Sequence, residues 1–533
     1  MHQERAGQML LFALSVCFTA SLTQSATGSD VPSHGRIVFT QFPPVASRVV
    51  AQDDSRGTRD AERLPRGARI AVFDASAPER GATNLTPDFA YAGRPNLSFD
   101  GSRILFVGKR RAADPFGIWE MAADGSDPRE VLRFSSDCVR VVHLSTIFGV
   151  DTDLPIPQMA FVARAPDDEM LSIFTCRMDG SSVRRITFAP GGASDPFPLS
   201  DGRLLFRMGL NDDKAAAPNP GPRPAALFTV NTDGTDIFPF AGFELESAGD
   251  VREPCETPSG LIFYGETRPG TGACDRLAAV ARTGSLHSRS VIADQEGASF
   301  RTPSASADGK LLISYRPTNA KSYGIFMLDP KSGPQTTLVF DDPNWDDMDP
   351  VALASRREPA GRSSVVNYAR QAGQLYCLNA YLSDDDRKSR VPSGSIRGIR
   401  VWRFDNPALE APTDRSSNST SRTANRPLGE SNTLLGEYQV DSDGSFFLEV
   451  PAQTPLRLET LDESGSVLRK MRTWMWVMPG EHRGCIGCHE DRELTATNRH
   501  VLALRRRPQE VGNTAVPPPS AVKPPEQPGR SYP

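Results

Sequence analysis

The chain has 533 residues, too many for one ordinary hydrophobic core, so two or three domains are expected. Its 43 glycines and 45 prolines, with 38% hydrophobic and 23% charged residues, describe a turn-rich β protein and argue against a helical one. The net charge is only −5 and the arginines are scattered among acids, which excludes a basic nucleic-acid face; Arg505-Arg506-Arg507-Pro508 reads as a solvated edge.

Residues 1–25 read as an export signal. Leu10 to Ala20 is an apolar stretch of the right length, Arg5 gives a positive flank, and small or hydroxyl residues from Thr19 to Ser25 suit cleavage. The stretch falls short of the roughly 20 apolar residues of a membrane span, and no later segment supplies them. Cys17 raises the alternative of a lipid anchor, but Val16 is a poor residue before a cleavage point. A periplasmic or secreted location follows.

From 34 to 360 a short unit repeats. Each begins with an apolar strand: Arg36–Phe39, Arg103–Phe106, Met159–Val162, Arg203–Phe206, Leu261–Tyr264 and Leu311–Tyr315. Several of these strands follow a tight turn, as at Asp100-Gly101, Asp201-Gly202 and Asp308-Gly309, where glycine tolerates the positive φ a hairpin demands. A second strand then runs into another turn, at Gly125, Gly180, Gly234, Gly284 and Gly333, spaced 49 to 55 residues apart. Sheets of this size bury both faces only by radial stacking, which predicts a β-propeller. Six units are clear. A seventh can be assembled from Asp349–Leu353 and Ile70–Phe73, or from strands contributed across the chain ends, so six or seven blades are expected, with seven favoured. The repeat resembles the TolB-type, or WD40-like, propeller module. The acidic run Asp341–Asp349 reads as a blade-connecting loop, with calcium ligation as the alternative.

Eight cysteines are present. Setting aside Cys17, Cys485 and Cys488 leaves five, and an oxidising compartment predicts disulfides among them. Local spacing favours Cys138–Cys176 and Cys255–Cys274, leaving Cys377 as a buried apolar thiol in the run Gln374–Leu382.

Beyond 360 the repeat stops. Strands are expected at Gly373–Tyr381, Ile396–Arg403, Leu435–Val440, Ser445–Val450 and Leu456–Leu461, which together make a small β-sandwich-like domain over 361–470. Its Ser/Thr/Asn/Arg-rich stretch 411–427 has no apolar period and reads as a mobile loop. A segment over 471–507 follows, and 508–533 is a proline-rich tail expected to be disordered.

The most specific chemistry lies in that penultimate segment. Cys485-Ile486-Gly487-Cys488-His489 is a Cys-x-x-Cys-His run, the pattern by which two thiols attach haem c covalently and the imidazole ligates its iron. The competing readings, a redox pair or half of a zinc site, need a thioredoxin-like context or a second ligand pair, and neither is nearby. Read as a strand, Met471–Gly484 puts Trp474, Trp476 and Met478 on one face, where the tryptophans serve either as protein core or as a wall against haem. The sixth iron position stays open among His500, eleven residues after His489, a methionine such as Met478, a propeller residue, or no protein ligand.

The sequences Met471–Glu490, Asp443–Pro451 and Asp349–Arg356 together resemble the hydrazine synthase alpha subunit family, over about 34–505. That resemblance implies a propeller, a β domain and a haem segment in this order, with companion subunits and nitrogen chemistry at a haem. In the family a tyrosine four residues after the motif histidine ligates iron while the histidine approaches zinc. Here that position is Glu493, and no tyrosine follows until Tyr532, so the chain reads as a monohaem relative lacking the special ligand. The leading expectation is therefore a secreted monohaem c-type cytochrome that transfers electrons, with the propeller docking a redox partner protein or companion subunits. The alternatives are a haem enzyme acting on a small nitrogenous molecule at an open iron site, and a binding propeller that haem merely stabilises. No Ser-His-Asp, phosphate-loop or His-Glu-x-x-His pattern supports another chemistry.

Overall fold

The computed structural model describes residues 35–43, 67–149, 154–166, 170–210, 224–243, 249–268, 274–383, 391–405, 432–487 and 500–512. The expected export signal, the loop 411–427 and positions 513–533 lie outside them. Among the described residues the only helical turns are two 3-10 segments, Pro78–Arg80 and Ala503–Arg505. None of the helices is long and apolar enough to cross a membrane.

Six four-stranded antiparallel sheets occupy the first two thirds of the described residues. The second strand of each is apolar along its length, as in Arg103–Lys109, whose five central residues are all buried. Such a strand needs cover on both faces, and neighbouring sheets supply it. The innermost strands touch in a closed ring: Tyr91–Leu97, Arg140–His143, Ala193–Pro198, Asp250–Glu256, Ser299–Ala305 and Asp346–Ala352, the last returning to the first. The seventh sheet favoured by the sequence is not found here. Asp346–Ala352 instead pairs with Arg36–Phe42, which pairs with Arg69–Asp74, so both segments expected to build it complete one sheet from the two ends of the repeat region.

A device not anticipated from the sequence lines the axis. Arg94, Asp195, Glu253, Thr302 and Asp349 each precede a proline and each take a positive φ, between 44° and 57°. The register shifts beside all five, so the strand bulges and turns its side chain toward the next blade. Hydrogen bonds then run around the ring. Glu253 N–H donates to Asp195 (3.4 Å), Thr302 N–H to Glu253 (2.7 Å), and Asp349 N–H to Thr302 Oγ1 (3.1 Å). Thr40 Oγ1 donates to Asp349 (3.0 Å) and accepts from Arg94 N–H (2.8 Å). The Arg140 guanidinium lies 3.6, 3.8 and 4.0 Å from Asp195, Asp349 and Glu253. Burial would raise Glu253, but Arg301, paired with it at 2.8 Å, holds its carboxyl below the usual range.

The acidic run at 341–349 turns its carboxylates toward its own chain. Asp347 accepts from Gln41 Nε2 and from Asp342 N–H, both at 3.0 Å, and Asp346 accepts from Tyr323 N–H at 2.9 Å. Among the described residues no group of three His, Cys, Asp or Glu side chains is arranged to hold a metal ion.

The two expected disulfides are absent: Cys138, Cys176, Cys255 and Cys274 are buried thiols. Proximity in sequence did not translate into bonded sulfurs. Cys138 and Cys176 pack into an apolar cluster with Phe161 and Phe174, and the strands Arg140–His143 and Leu171–Arg177 are separated by Gln158–Arg164. Cys274 Sγ lies 3.5 Å from Thr267 Oγ1, whereas Cys255 packs beside Phe263 and Phe300. Burial pushes the Cys176 and Cys255 thiols up to about 12.

A linker crosses the propeller to the second domain, hydrogen-bonding in turn to Phe99, Ser200 and Asp233 through Arg356, Ala360 and Ser364. Two further four-stranded sheets follow. One orders His482–Cys485, Ala372–Cys377, Phe446–Pro451 and Gln509–Glu510; the other orders Asn432–Gln439, Gly398–Phe404, Leu456–Leu461 and Val467–Lys470. Leu375, Leu448 and Val450 of the first join Ile399, Val401 and Leu456 of the second in one core, a sandwich. The segment after 470 is thus built into this domain, and Gln509–Glu510, assigned from sequence to the tail, is one of its strands.

Candidate haem-attachment site

In the stretch Met471–Gly480, Met475 bridges to Leu456, and Met471 and Gly480 N–H donate to the Leu458 and Ala372 carbonyls, before the chain enters His482–Cys485. This strand runs parallel to Ala372–Cys377, with Gln374 opposite His482 and Cys377 opposite Cys485. One end of the pair faces the propeller and the other faces away. The expected site residues divide between those ends.

At the propeller end, Trp476 is fully buried, donates from Nε1 to the Gly234 carbonyl (3.1 Å) and meets Phe188 edge-on at 6.0 Å. Gly234 has φ +89°, and a Cβ there would lie 2.9 Å from Met478 Sδ, so only glycine admits Met478. Met478 is fully buried against that turn. The Glu481 carboxylate joins the two domains by accepting from Met478 N–H (2.6 Å) and Asp236 N–H (2.8 Å). Burial raises its pKa. Arg483 adds bonds to the Ile237 carbonyl and, at 3.6 Å, to Asp236. Trp474 faces the sandwich, edge-on to Phe404 at 5.5 Å and under the Arg457 guanidinium at 4.9 Å. The structure therefore gives Trp474, Trp476 and Met478 protein partners, and Cys485 packs at the edge of the cluster that holds Trp476 and Met478. A polar cleft of about 330 Å³ opens here too, lined in part by Arg370, Gln374, Glu449, Glu481 and the exposed His482.

At the far end, Cys485 closes the edge strand and is half-buried. Its carbonyl accepts from Leu378 N–H (2.9 Å) and that of Ile486 from Asn379 N–H (3.1 Å). Gly484 packs on Tyr376 and Gly487 on Leu382, each so close that a Cβ would fall within 2.6 Å. Cys488 and His489 lie outside the described residues. The chain re-enters at His500, which is exposed, and is tied down at once: Leu502 N–H donates to Asp443 (2.9 Å), Ala503 N–H to Ser445 Oγ (3.0 Å), and Arg506 pairs with Asp441 at 2.8 Å. Ala380 N–H donates to Gly444 at 2.8 Å, which joins the loop under Gly487 to the turn that holds Leu502. The described residues flanking Cys488 and His489 are thus held to neighbouring loops, Cys485–Gly487 to 378–382 and Leu502–Arg506 to 441–445.

Two features of this corner of the sandwich bear on a covalently held haem. Cys485, the first cysteine of the motif, sits half-buried on an edge strand. Leu382 and Leu502, 38% and 36% exposed, offer apolar surface beside it that a flat macrocycle would cover. Neither leucine was identifiable from sequence, since Leu382 stands over a hundred residues before the motif and carries no pattern.

The family model described as the hydrazine synthase alpha subunit middle domain matches residues 394–490. Hydrazine synthase subunit alpha of Kuenenia stuttgartiensis is 24% identical over 566 residues, covering 88% of this chain and 68% of the relative. The solved Kuenenia stuttgartiensis hydrazine synthase superposes with a TM-score of 0.70 at 20% identity, over 89% of this chain and 71% of that one. TolB from Acinetobacter baumannii gives a TM-score of 0.40 at 11% identity, over 59% of this chain and 66% of its own. The chain is homologous to the hydrazine synthase alpha subunit.

Proposed function

We propose that this chain is an exported, haem-bearing subunit of a multi-subunit enzyme that acts on a small nitrogenous molecule. The observation that carries this reading is the extent of the homology, 88% of the chain, together with a family match that runs through the whole Cys-x-x-Cys-His motif. It favours the enzymatic alternative over a simple electron carrier. Cys485 and Cys488 would hold the haem by thioethers and His489 would ligate its iron; when bound, the group supplies one-electron chemistry at a ligand-binding metal. The sandwich corner positions the attachment strand, and Leu382 and Leu502 exclude water from its apolar side. Glu493, where the family has a tyrosine, leaves His489 to ordinary ligation and separates this chain's chemistry from hydrazine formation. Companion subunits are the expected partners.

The tether just after His500, from Leu502 and Ala503 to the 441–445 turn, supports a second reading, in which His500 fills the sixth position and the chain passes electrons. Visible spectra of the haem-loaded full chain separate the two. A high-spin ferric form whose spectrum shifts on adding hydroxylamine or cyanide supports the enzyme. Low-spin spectra in both oxidation states, unchanged by either ligand, reject it in favour of the carrier. Protein from a cytochrome c-maturing host that loses all its haem to acid-acetone refutes both.

A further inference from the structure

We propose that Cys377 and Cys485 form a thiol–disulfide site that closes in the haem-free chain and must be open before haem attaches. The sequence set Cys377 apart as a buried thiol without a role. The structure puts it directly opposite the first attachment cysteine, as register partners on adjacent parallel strands. Along Ala372–Cys377 burial alternates, and Gly373, Leu375 and Cys377 share the inner face. Opposite them Arg483 is buried opposite Leu375, so Cys485, two residues on, points to the same side as Cys377. Cys485 packs against the cluster to which Cys377 belongs. Adjacent strands stand about 4.8 Å apart, inside the roughly 4.4–6.8 Å Cα separation of a disulfide. Backbone bonds from Leu378 to Cys485 and from Asn379 to Ile486 hold the register on both sides of the pair.

Exposure assigns the order of events. Cys377 is 1% exposed and Cys485 half-buried, so an external oxidant meets Cys485 first. The Cys485 thiolate attacks one sulfur of a small disulfide such as glutathione disulfide, forming a mixed disulfide and releasing one glutathione thiolate. Cys377 then attacks the Cys485 sulfur and expels the second. Two protein thiols lose two protons and two electrons, and glutathione disulfide becomes two glutathione thiols. Each haem thioether adds a thiol across a vinyl group, so a sulfur held by Cys377 cannot attach. The consequence for loading rests on the haem reading above; the disulfide itself does not.

The test uses the full chain from a host without cytochrome c maturation. It is equilibrated with glutathione disulfide, quenched in acid, alkylated and mapped without reduction. A peptide joining Cys377 to Cys485, with Cys488 alkylated, is expected, and Cys377→Ala abolishes it. Recovery of Cys377 and Cys485 as alkylated thiols overturns the proposal, as does a Cys485–Cys488 link beside alkylated Cys377. In haem-loaded chain Cys377 is expected as an alkylated thiol. A chain that shows the link but takes no haem in a maturing host refutes the haem reading and leaves the disulfide standing.

Discussion

Replacing Trp476 separates the two roles open to it, haem wall and domain bolt. Its indole is fully buried, is bonded to the Gly234 carbonyl at 3.1 Å, and lies beside Phe188 of the propeller. Trp476→Phe removes the donor and leaves that carbonyl without it, which costs about 1–3 kcal/mol. The smaller ring leaves part of the site empty and adds on the order of 1 kcal/mol, so a loss of about 2–4 kcal/mol is expected. Trp476→Ala, with the whole indole gone, is expected at about 3–5 kcal/mol. Gly234→Ala attacks the same contact from the other side, since its φ of +89° costs an L-residue about 1–2 kcal/mol before the clash with Met478. Urea unfolding followed by far-ultraviolet circular dichroism, with the Soret band of haem-loaded protein recorded beforehand, reads both roles. All three variants should unfold at lower urea with an unchanged Soret maximum. A displaced Soret band with an unmoved midpoint for Trp476→Phe would show that the indole faces haem and that the docking argument is mistaken.

Asp347 is buried, and its carboxyl is pushed up to about 7, chiefly by desolvation and further by Asp341 and Asp342. Its native pKa exceeds the unfolded one, so its contribution is complete below about pH 4 and is lost as pH rises to about 7, by up to roughly 4 kcal/mol. Asp347→Asn should therefore flatten the fall in stability between about pH 4 and 7, and a profile parallel to wild type would contradict this. Burial holds His143 down at about 4, which gives the opposite slope, with stability lost as pH falls from 6.5 toward 4; His143→Gln should remove that part of the acid sensitivity in the same titration. Arg140→Ala leaves Asp195, Glu253 and Asp349 without the guanidinium they share and should cost about 3 kcal/mol in thermal or urea unfolding; a loss below about 0.5 kcal/mol would place Arg140 among ordinary surface charges. In native protein Cys138, Cys176, Cys255 and Cys274 should resist iodoacetamide and then all react once urea is added. Peptides linking Cys138 to Cys176 or Cys255 to Cys274 would restore the pairing expected from sequence spacing.

What the sequence determined is local. An apolar strand such as Arg103–Lys109, closed by Asp100-Gly101 before it and Asp124-Gly125 after it, carries its turn chemistry and its need for cover on both faces within about 25 residues. Repetition of that unit implies radial stacking, and Cys485-Ile486-Gly487-Cys488-His489 carries its chemistry in five residues. The tertiary structure alone decided what depends on distant partners. Whether Asp346–Ala352 opens a seventh sheet or closes the first depends on Arg36–Phe42, over 300 residues away, because a strand's partner is chosen by the edge left free when the ring closes. The five residue–proline bulges on the axis were visible as letters, but their meaning came only from facing one another across the blades. In sequence Trp476 reads equally well as core or cofactor wall, and its contact with the 231–238 turn of the propeller was set by the fold alone. Cys377 looked idle because the relation that matters, its register with Cys485, spans a hundred residues of chain and is set by parallel pairing, which no short-range pattern encodes.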